Sequence, residues 1–115
     1  MKGRTKLNSK PLPCYLIGLL RVKNYEEYFE RYGMPAIEHL RAAGAELEVA
    51  AAEAELLEGD WVCNWTVVIK FPTKTAATVF YNSPAYTPLR ELRINELTDG
   101  GSIVLVEGFD LSLLG

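Results

Sequence analysis

The chain has few of the residues that bind metal ions or form disulfides. Its 115 residues include one histidine and two cysteines. His39 is expected on a helix, whereas Cys14 and Cys63 lie in separate apolar runs, so the spacing typical of a metal site is absent from the sequence. The chain also lacks a phosphate-binding loop and a GxGxxG sequence, which argues against nucleotide binding. We therefore expect neither a metal nor another cofactor.

The sequence also lacks a long apolar run. No stretch approaches the roughly 18 apolar residues of a transmembrane helix. The first residues, "MKGRTKLNSKPLP", are polar and lack the apolar core of a signal peptide. These features predict a cytoplasmic protein without membrane contact. In a reducing compartment, Cys14 and Cys63 are expected to be core thiols and not a disulfide.

Acidic residues are absent from the first thirteen positions. This segment holds four of the twelve basic residues, so the other eight share the rest of the chain with all fifteen acidic residues. An acidic body repels a phosphate backbone, which argues against nucleic-acid binding. We predict a flexible basic tail over residues 1–13 and a single domain over residues 14–115, a length that is ordinary for one domain.

Four segments are predicted to be β-strands. Three of them are apolar or rich in β-branched and aromatic residues. The fourth lies between a helix stop at Gly44 and a turn at Gly59-Asp60, and it is assigned mainly from that position. The predicted strands are residues 14–22, 46–52, 62–71 and 102–109. Asp99-Gly100-Gly101 is expected to form a turn before the last strand.

Two segments have apolar residues at helical spacing. The first follows the capping residue Asn24 and is expected to be bent at Gly33 and Pro35, because proline cannot donate a backbone hydrogen bond. The second begins after the capping residue Thr73. It is expected to restart at Ser83-Pro84, with serine as the cap and proline in the first helical turn.

The resulting order, β-α-β-β-α-β, is that of the ferredoxin-like pattern. It predicts an α+β fold in which helices cover one face of a four-stranded antiparallel sheet. The other face also carries apolar and aromatic residues, and the chain has no further element to cover it. An uncovered apolar sheet face predicts a partner, most simply the same face of a second copy. We therefore predict a homodimer.

Two stretches resemble a known family. "VVIKFPTKTAATVFYNSPAYTPLRELR" and "IVLVEGFD" are similar to the pattern of the bacterial domain of unknown function 1330 (DUF1330). That pattern is a strand ending in Phe-Pro, a small-residue helix, Tyr-Asn-Ser-Pro and a final Val-Glu-Gly. The resemblance implies a dimeric α/β barrel, in which two ferredoxin-like units pack sheet to sheet. Relatives in that superfamily include cofactor-independent monooxygenases, muconolactone isomerases and haem-binding chlorite dismutases, so the resemblance implies a fold and no single reaction.

Aromatic residues from both helical regions and the third strand are predicted to enclose a cavity between the helices and the sheet. With a few polar groups, such a cavity would bind a small apolar or aromatic molecule. The candidate ligand-binding residues are Tyr28, Asn64, Trp65, Tyr81 and Arg93. Catalytic residues are not assigned. The alternative is that the same aromatic residues simply pack the core.

Arg93 has two interpretations. It shares a helical face with Tyr86, so it points inward or to the sheet edge, where an unpaired guanidinium would be costly. It would either contact a ligand or form a structural pair with Glu107 on the last strand. Three functions stay open: a small-molecule binding protein, a cofactor-independent monooxygenase or isomerase that uses the same cavity, and a non-catalytic structural or regulatory dimer.

Overall fold

The computed structural model describes residues 11–114, so most of the predicted basic tail lies outside the described residues. Four strands form one antiparallel sheet in the order β2-β3-β1-β4. The strands are β1 Cys14–Val22, β2 Glu46–Ala51, β3 Trp65–Phe71 and β4 Thr98–Glu107. Helical segments follow β1 and β3. The predicted α+β fold, with the order β-α-β-β-α-β and a four-stranded antiparallel sheet, is confirmed.

The first helical region consists of α1 (Tyr25–Tyr28), a π-helical turn (Phe29–Gly33) and α2 (Met34–Ala42). The Asn24 side chain caps it, because its oxygen accepts a hydrogen bond from the Glu27 amide at 2.9 Å. The bend predicted at Gly33 and Pro35 is a wider turn and not a break, since the backbone stays helical through Gly33 and the Met34 amide bonds to the Phe29 carbonyl.

The second helical region consists of α3 (Lys74–Tyr81), α4 (Thr87–Leu92) and a second π-helical turn (Arg93–Leu97). Thr73 caps α3 as predicted, with its hydroxyl accepting from the Ala76 amide at 3.0 Å. The predicted restart at Ser83-Pro84 is only partly right. The Ser83 hydroxyl does accept from the Tyr86 amide at 3.2 Å, but this bond closes a turn, and the helix itself begins later, at Thr87.

The two β-strand boundaries that differ most from prediction are those of β3 and β4. β3 begins at Trp65 instead of residue 62, because the chain between β2 and β3 is irregular up to that point. β4 begins at Thr98, so the turn predicted at Asp99-Gly100-Gly101 is wrong. Asp99 and Gly100 form a bulge where the pairing with β1 shifts, between Thr98, which pairs with Val22, and Gly101, which pairs with Leu20. At Gly101 the backbone has φ of 136°, and a side chain would lie 2.4 Å from the Leu19 carbonyl oxygen.

The helices cover one face of the sheet and form the core with it. Side chains of β1 alternate between the two faces, as expected for a strand. Cys14, Leu16 and Leu20 are buried on the helical side. Cys14 and Cys63 both carry free thiols. In the part of the chain that the structure describes, no helix is long and apolar enough to cross a membrane.

The opposite face of the sheet is open within residues 11–114, and an apolar row crosses it. Strand pairing places Ile17 of β1 directly beside Val68 of β3 and Val104 of β4. Val49 of β2 lies beside Val68 and completes the row. Val49 and Val104 are 40% and 48% exposed, so the row faces solvent in the single chain.

Candidate functional site

A cavity of about 150 Å³ lies between the sheet and the first helical region. Its wall is mostly apolar and aromatic. The lining residues are Leu16, Gly18, Leu20, Tyr28, Phe29, Tyr32, Gly33, Met34, Ala36, Ile37, Leu40, Leu47, Ala50, Trp65, Val67, Ile69, Phe80, Tyr86, Arg93 and Ile103. Gly18 lies in the middle of the central strand, where its lack of a side chain leaves room between neighbouring strands and the helices. An apolar cavity of about this volume is large enough to hold benzene.

Tyr28 and Trp65 form one aromatic side of the cavity. Their rings meet edge to face with centroids 6.0 Å apart, and Tyr28 also contacts the ring of Tyr32 at 5.2 Å. Burial raises the pKa of Tyr28 to about 12. The hydroxyl therefore stays protonated at neutral pH and can donate a hydrogen bond.

Tyr32 and Tyr86 bring two further hydroxyls to the cavity wall. The two hydroxyl groups are hydrogen-bonded to each other across the two helical regions. Burial and the neighbouring Tyr86 raise the pKa of Tyr32 well above its usual value. In a pair of neutral hydroxyls one donates to the other, and the second proton stays available for another acceptor.

Within residues 11–114, Arg93 is the one cationic residue of the cavity wall, and it is buried at 3% exposure. Its guanidinium carbon lies 5.6 Å from the centroid of the Tyr32 ring. Among residues 11–114, no hydrogen-bond partner reaches its Nε or Nη2 atom. Burial acts to lower the pKa of Arg93, but Tyr32 and Tyr86 raise it more, so the guanidinium stays charged.

Arg93 and Glu107 do not form the pair that the sequence allowed. Arg93 lies beside the start of β4, where the Thr98 hydroxyl donates to its carbonyl oxygen at 2.9 Å. Glu107 lies at the other end of the same strand, opposite Cys14. At about 3.3 Å per strand residue, roughly 30 Å separate Thr98 from Glu107, well beyond the reach of an arginine side chain.

The structure brings Tyr28, Trp65 and Arg93 together in one cavity and places the other two candidates elsewhere. The Asn64 side chain closes the end of β1, accepting from the Val22 amide at 2.7 Å and donating to the Val22 carbonyl at 3.0 Å. Tyr81 lines a second recess of about 230 Å³ beside β4. Arg93 also lines this recess, together with Leu20 and Ile103, so these three residues border both spaces.

Tyr32, Tyr86 and Gly18 line the cavity but were not named as ligand-binding candidates, although both tyrosines belong to the aromatic residues predicted to enclose it. Tyr32 follows Tyr28 by four residues, and that helical spacing was the available signal for a shared face. Tyr86 reaches the same cavity from a distant part of the chain. Gly18 gives a weak signal, because glycine inside a strand often marks the close approach of a ligand or another backbone. A strand that is apolar on both faces does not show which face the helices cover.

Metal ligands do not cluster in the described chain. Within residues 11–114 there is no group of three or more histidine, cysteine, aspartate or glutamate side chains that could hold a metal ion. Among the described residues, the polar groups of the cavity wall are the tyrosine hydroxyls and the guanidinium of Arg93, and the rest of the wall is aromatic or apolar. Such a wall can bind an apolar body and donate hydrogen bonds to it.

Comparison with known proteins shows a family and a fold. The family described as "Domain of unknown function (DUF1330)" matches residues 13–109. None of the curated proteins compared with the chain matches it. The crystal structure of RPA0582, a protein of unknown function from Rhodopseudomonas palustris, matches with a TM-score of 0.71 and 14% identity, over 94% of this chain and 96% of that chain. The crystal structure of methylated RPA0582 matches with a TM-score of 0.71 and 13% identity, over 96% of each chain.

Proposed function

Because this chain belongs to the DUF1330 family, a family described as a domain of unknown function, we propose a function from the cavity itself. The protein forms a homodimer, and each copy binds a small apolar or aromatic molecule between its helices and its sheet. The residues proposed to contact that molecule are Tyr28, Trp65 and Arg93 from the sequence analysis, together with Tyr32 and Tyr86. Asn64 is proposed to position the neighbouring Trp65, and Tyr81 to border the recess next to Arg93.

The observation that carries this proposal is the unfilled apolar space. The space of about 150 Å³ is lined mostly by apolar side chains and is partly open to solvent, since Met34 and Leu47 of its wall are 68% and 47% exposed. A larger side chain at one of its small lining residues would fill it. Ligand-binding pockets combine a mostly apolar wall with a few polar groups, as this cavity does. A purely structural dimer would have no use for the space.

The homodimer is supported by the open face of the sheet. Val49, Val68, Ile17 and Val104 form a continuous apolar row across all four strands. Large apolar side chains are also exposed in the connection between β2 and β3 and near the C-terminus. They are Leu56, Leu57, Trp61, Val62, Phe109, Leu111, Leu113 and Leu114. Apolar surface of this extent is typical of an interface, and a second copy offers the matching sheet.

A second candidate function is a cofactor-independent monooxygenase or isomerase that uses the same cavity. The observation in its favour is that protonated hydroxyls and a charged guanidinium lie in a largely apolar site. Donors of this kind stabilise an enolate or phenolate that forms when a substrate loses a proton. This candidate predicts oxygen consumption with polyphenols or isomerisation of lactones, whereas a binding protein gives stabilisation by small aromatics without turnover.

Filling the cavity tests the binding function. We expect toluene to raise the melting temperature of the wild-type protein, because a ligand that binds only the folded state stabilises it. Gly18→Val should abolish this shift, because the valine side chain occupies the cavity. The variant should still fold, because β-branched residues are favourable in a central strand. Differential scanning fluorimetry with and without toluene measures both effects.

Gly18→Ala is the matched control for that experiment. An added methyl group would lie 3.7 Å from Ile103 and Val67, an ordinary contact distance. The alanine variant should therefore fold normally and keep part of the toluene effect. Equal stabilisation of wild type and Gly18→Val by toluene, or none in either, would contradict the proposal.

A further inference from the structure

The buried charge of Arg93 lacks a counter-ion in the described chain. Its side chain is 3% exposed, and Nε and Nη2 have no hydrogen-bond partner among residues 11–114. A buried cation is normally paired, because an unpaired one is costly to remove from water. Nε and Nη2 lie on the same edge of the guanidinium plane. That edge is one with which arginine binds the two oxygens of a carboxylate.

Within residues 11–114, the groups around this guanidinium supply rings and hydroxyls but no carboxylate. They are Tyr32, Tyr86 and Tyr81, and hydrogen bonding to Tyr86 and Tyr81 helps to raise the pKa of Arg93. Glu96 lies in the same π-helical turn, but its carboxylate binds Arg31 at 2.8 Å on the protein surface. A negative charge that balances Arg93 therefore has to come from outside residues 11–114.

We propose that the ligand of the cavity is a small monocarboxylate, with an apolar body about the size of a benzene ring and its carboxylate bound by Arg93. This inference rests on the binding function proposed above and adds the chemical class of the ligand. The ring occupies the space beneath Gly18, and the carboxylate takes the free edge of the guanidinium. The Tyr32–Tyr86 hydroxyl pair offers one further donor to it. Arg93 is then the residue that determines specificity.

A matched pair of probes tests the inference on the wild-type protein. Benzoate and benzamide have nearly the same shape and differ in charge, and both have a ring of the size that the cavity holds. Isothermal titration calorimetry at neutral pH, where benzoate is ionised, should show benzoate binding at least tenfold more tightly than benzamide. Gly18→Val should weaken both probes, because it removes the space for the ring.

Arg93→Met separates the charge from the shape of the side chain. We expect the variant to bind benzoate and benzamide with equal affinity, which removes the tenfold preference. We also expect its melting temperature, measured without ligand, to be equal to or above that of the wild type, because an unpaired buried charge has been replaced by an apolar chain of similar length. A residue with a purely structural role would show the opposite change in melting temperature.

The outcomes distinguish this inference from the binding function on which it rests. Equal or weaker binding of benzoate than of benzamide by the wild type would overturn the monocarboxylate assignment and leave the binding function intact. A failure of toluene, benzoate and benzamide alike to bind would overturn both. A large loss of stability in R93M, together with equal affinities of the wild type for the two probes, would identify Arg93 as structural.

Discussion

Tyr28 links the stability of the fold to pH. Burial raises its pKa to about 12, from 10.0 for an ordinary tyrosine. The unfolded chain therefore loses the Tyr28 proton at lower pH than the folded protein. The contribution of Tyr28 to stability is fully present below about pH 10 and is lost as the pH rises toward 12.

The Tyr28→Phe variant isolates this contribution. We expect the wild-type free energy of unfolding to fall more steeply than that of the variant between pH 10 and 12, by up to about 1.4 kcal/mol per pH unit. Urea denaturation of both proteins at several pH values measures the difference. The difference between the two free energies of unfolding at pH 7 serves as the baseline. If this difference stays constant up to pH 12, the pKa of Tyr28 is not shifted.

Single residues show where sequence patterns stop being informative. Helical spacing predicts that Arg93 points inward or to the sheet edge, and the structure buries it in the wall of the cavity. That its charge lacks a partner in the described chain depends on how the two helical regions and β4 meet, which no local pattern reveals. Asn64 was assigned to the cavity from its residue type, but its side-chain amide is hydrogen-bonded to both the amide and the carbonyl of Val22. Such a contact depends on the long-range position of the chain next to β1.

At the level of elements, the sequence predicted the kind and order of every strand and the two helical regions. Local signals were sufficient for β1, β3, β4 and the helical regions, because capping residues and apolar periodicity act within a few residues. β2 was assigned mainly from its position between a helix stop and a turn. The boundaries that failed involve distant partners. Asp99-Gly100-Gly101 has the composition of a turn, but pairing with β1 draws it into β4 as a bulge. The π-helical turns likewise have no simple pattern in the sequence.

Ser83 holds the junction between α3 and α4. Its hydroxyl donates to the Phe80 carbonyl at 2.8 Å and accepts from the Tyr86 amide at 3.2 Å. This places Tyr86 so that its ring reaches the cavity. Ser83→Ala should therefore lower the free energy of unfolding by about 1–2 kcal/mol, because it removes two hydrogen bonds that each typically contribute about 0.5–1.5 kcal/mol.

The neighbouring residue supplies a control for the Ser83 variant. The Asn82 side chain makes one exposed hydrogen bond to the Thr78 carbonyl. Asn82→Ala should change the free energy of unfolding by no more than about 0.5 kcal/mol, as is usual at exposed positions. Urea denaturation gives both values. Equal costs for the two variants would show that the Ser83 bonds do not stabilise the junction.

At the scale of the whole molecule, the single chain is flat. Its principal extents are 49 × 38 × 18 Å, as expected for one sheet with one layer of helices. A layer of helices buries one face of the sheet and leaves the row that contains Ile17 and Val104 open. The sheet and its helices are the two packed layers that most domains have. Covering the second, apolar face of the sheet takes a third layer. In the proposed homodimer, a second copy would supply that layer with a sheet of the same apolar character.

Val104→Lys tests this arrangement, because a twofold interface would bury the new charge twice. We expect the wild type to have a mass of twice 12.8 kDa in light scattering after gel filtration, and the variant to have the mass of one chain. Val79→Lys is the matched control, since Val79 is 63% exposed on α3, away from the sheet face. It should keep the wild-type mass. A wild type that stays monomeric at high micromolar concentration, or equal masses for the two lysine variants, would refute the sheet-to-sheet dimer.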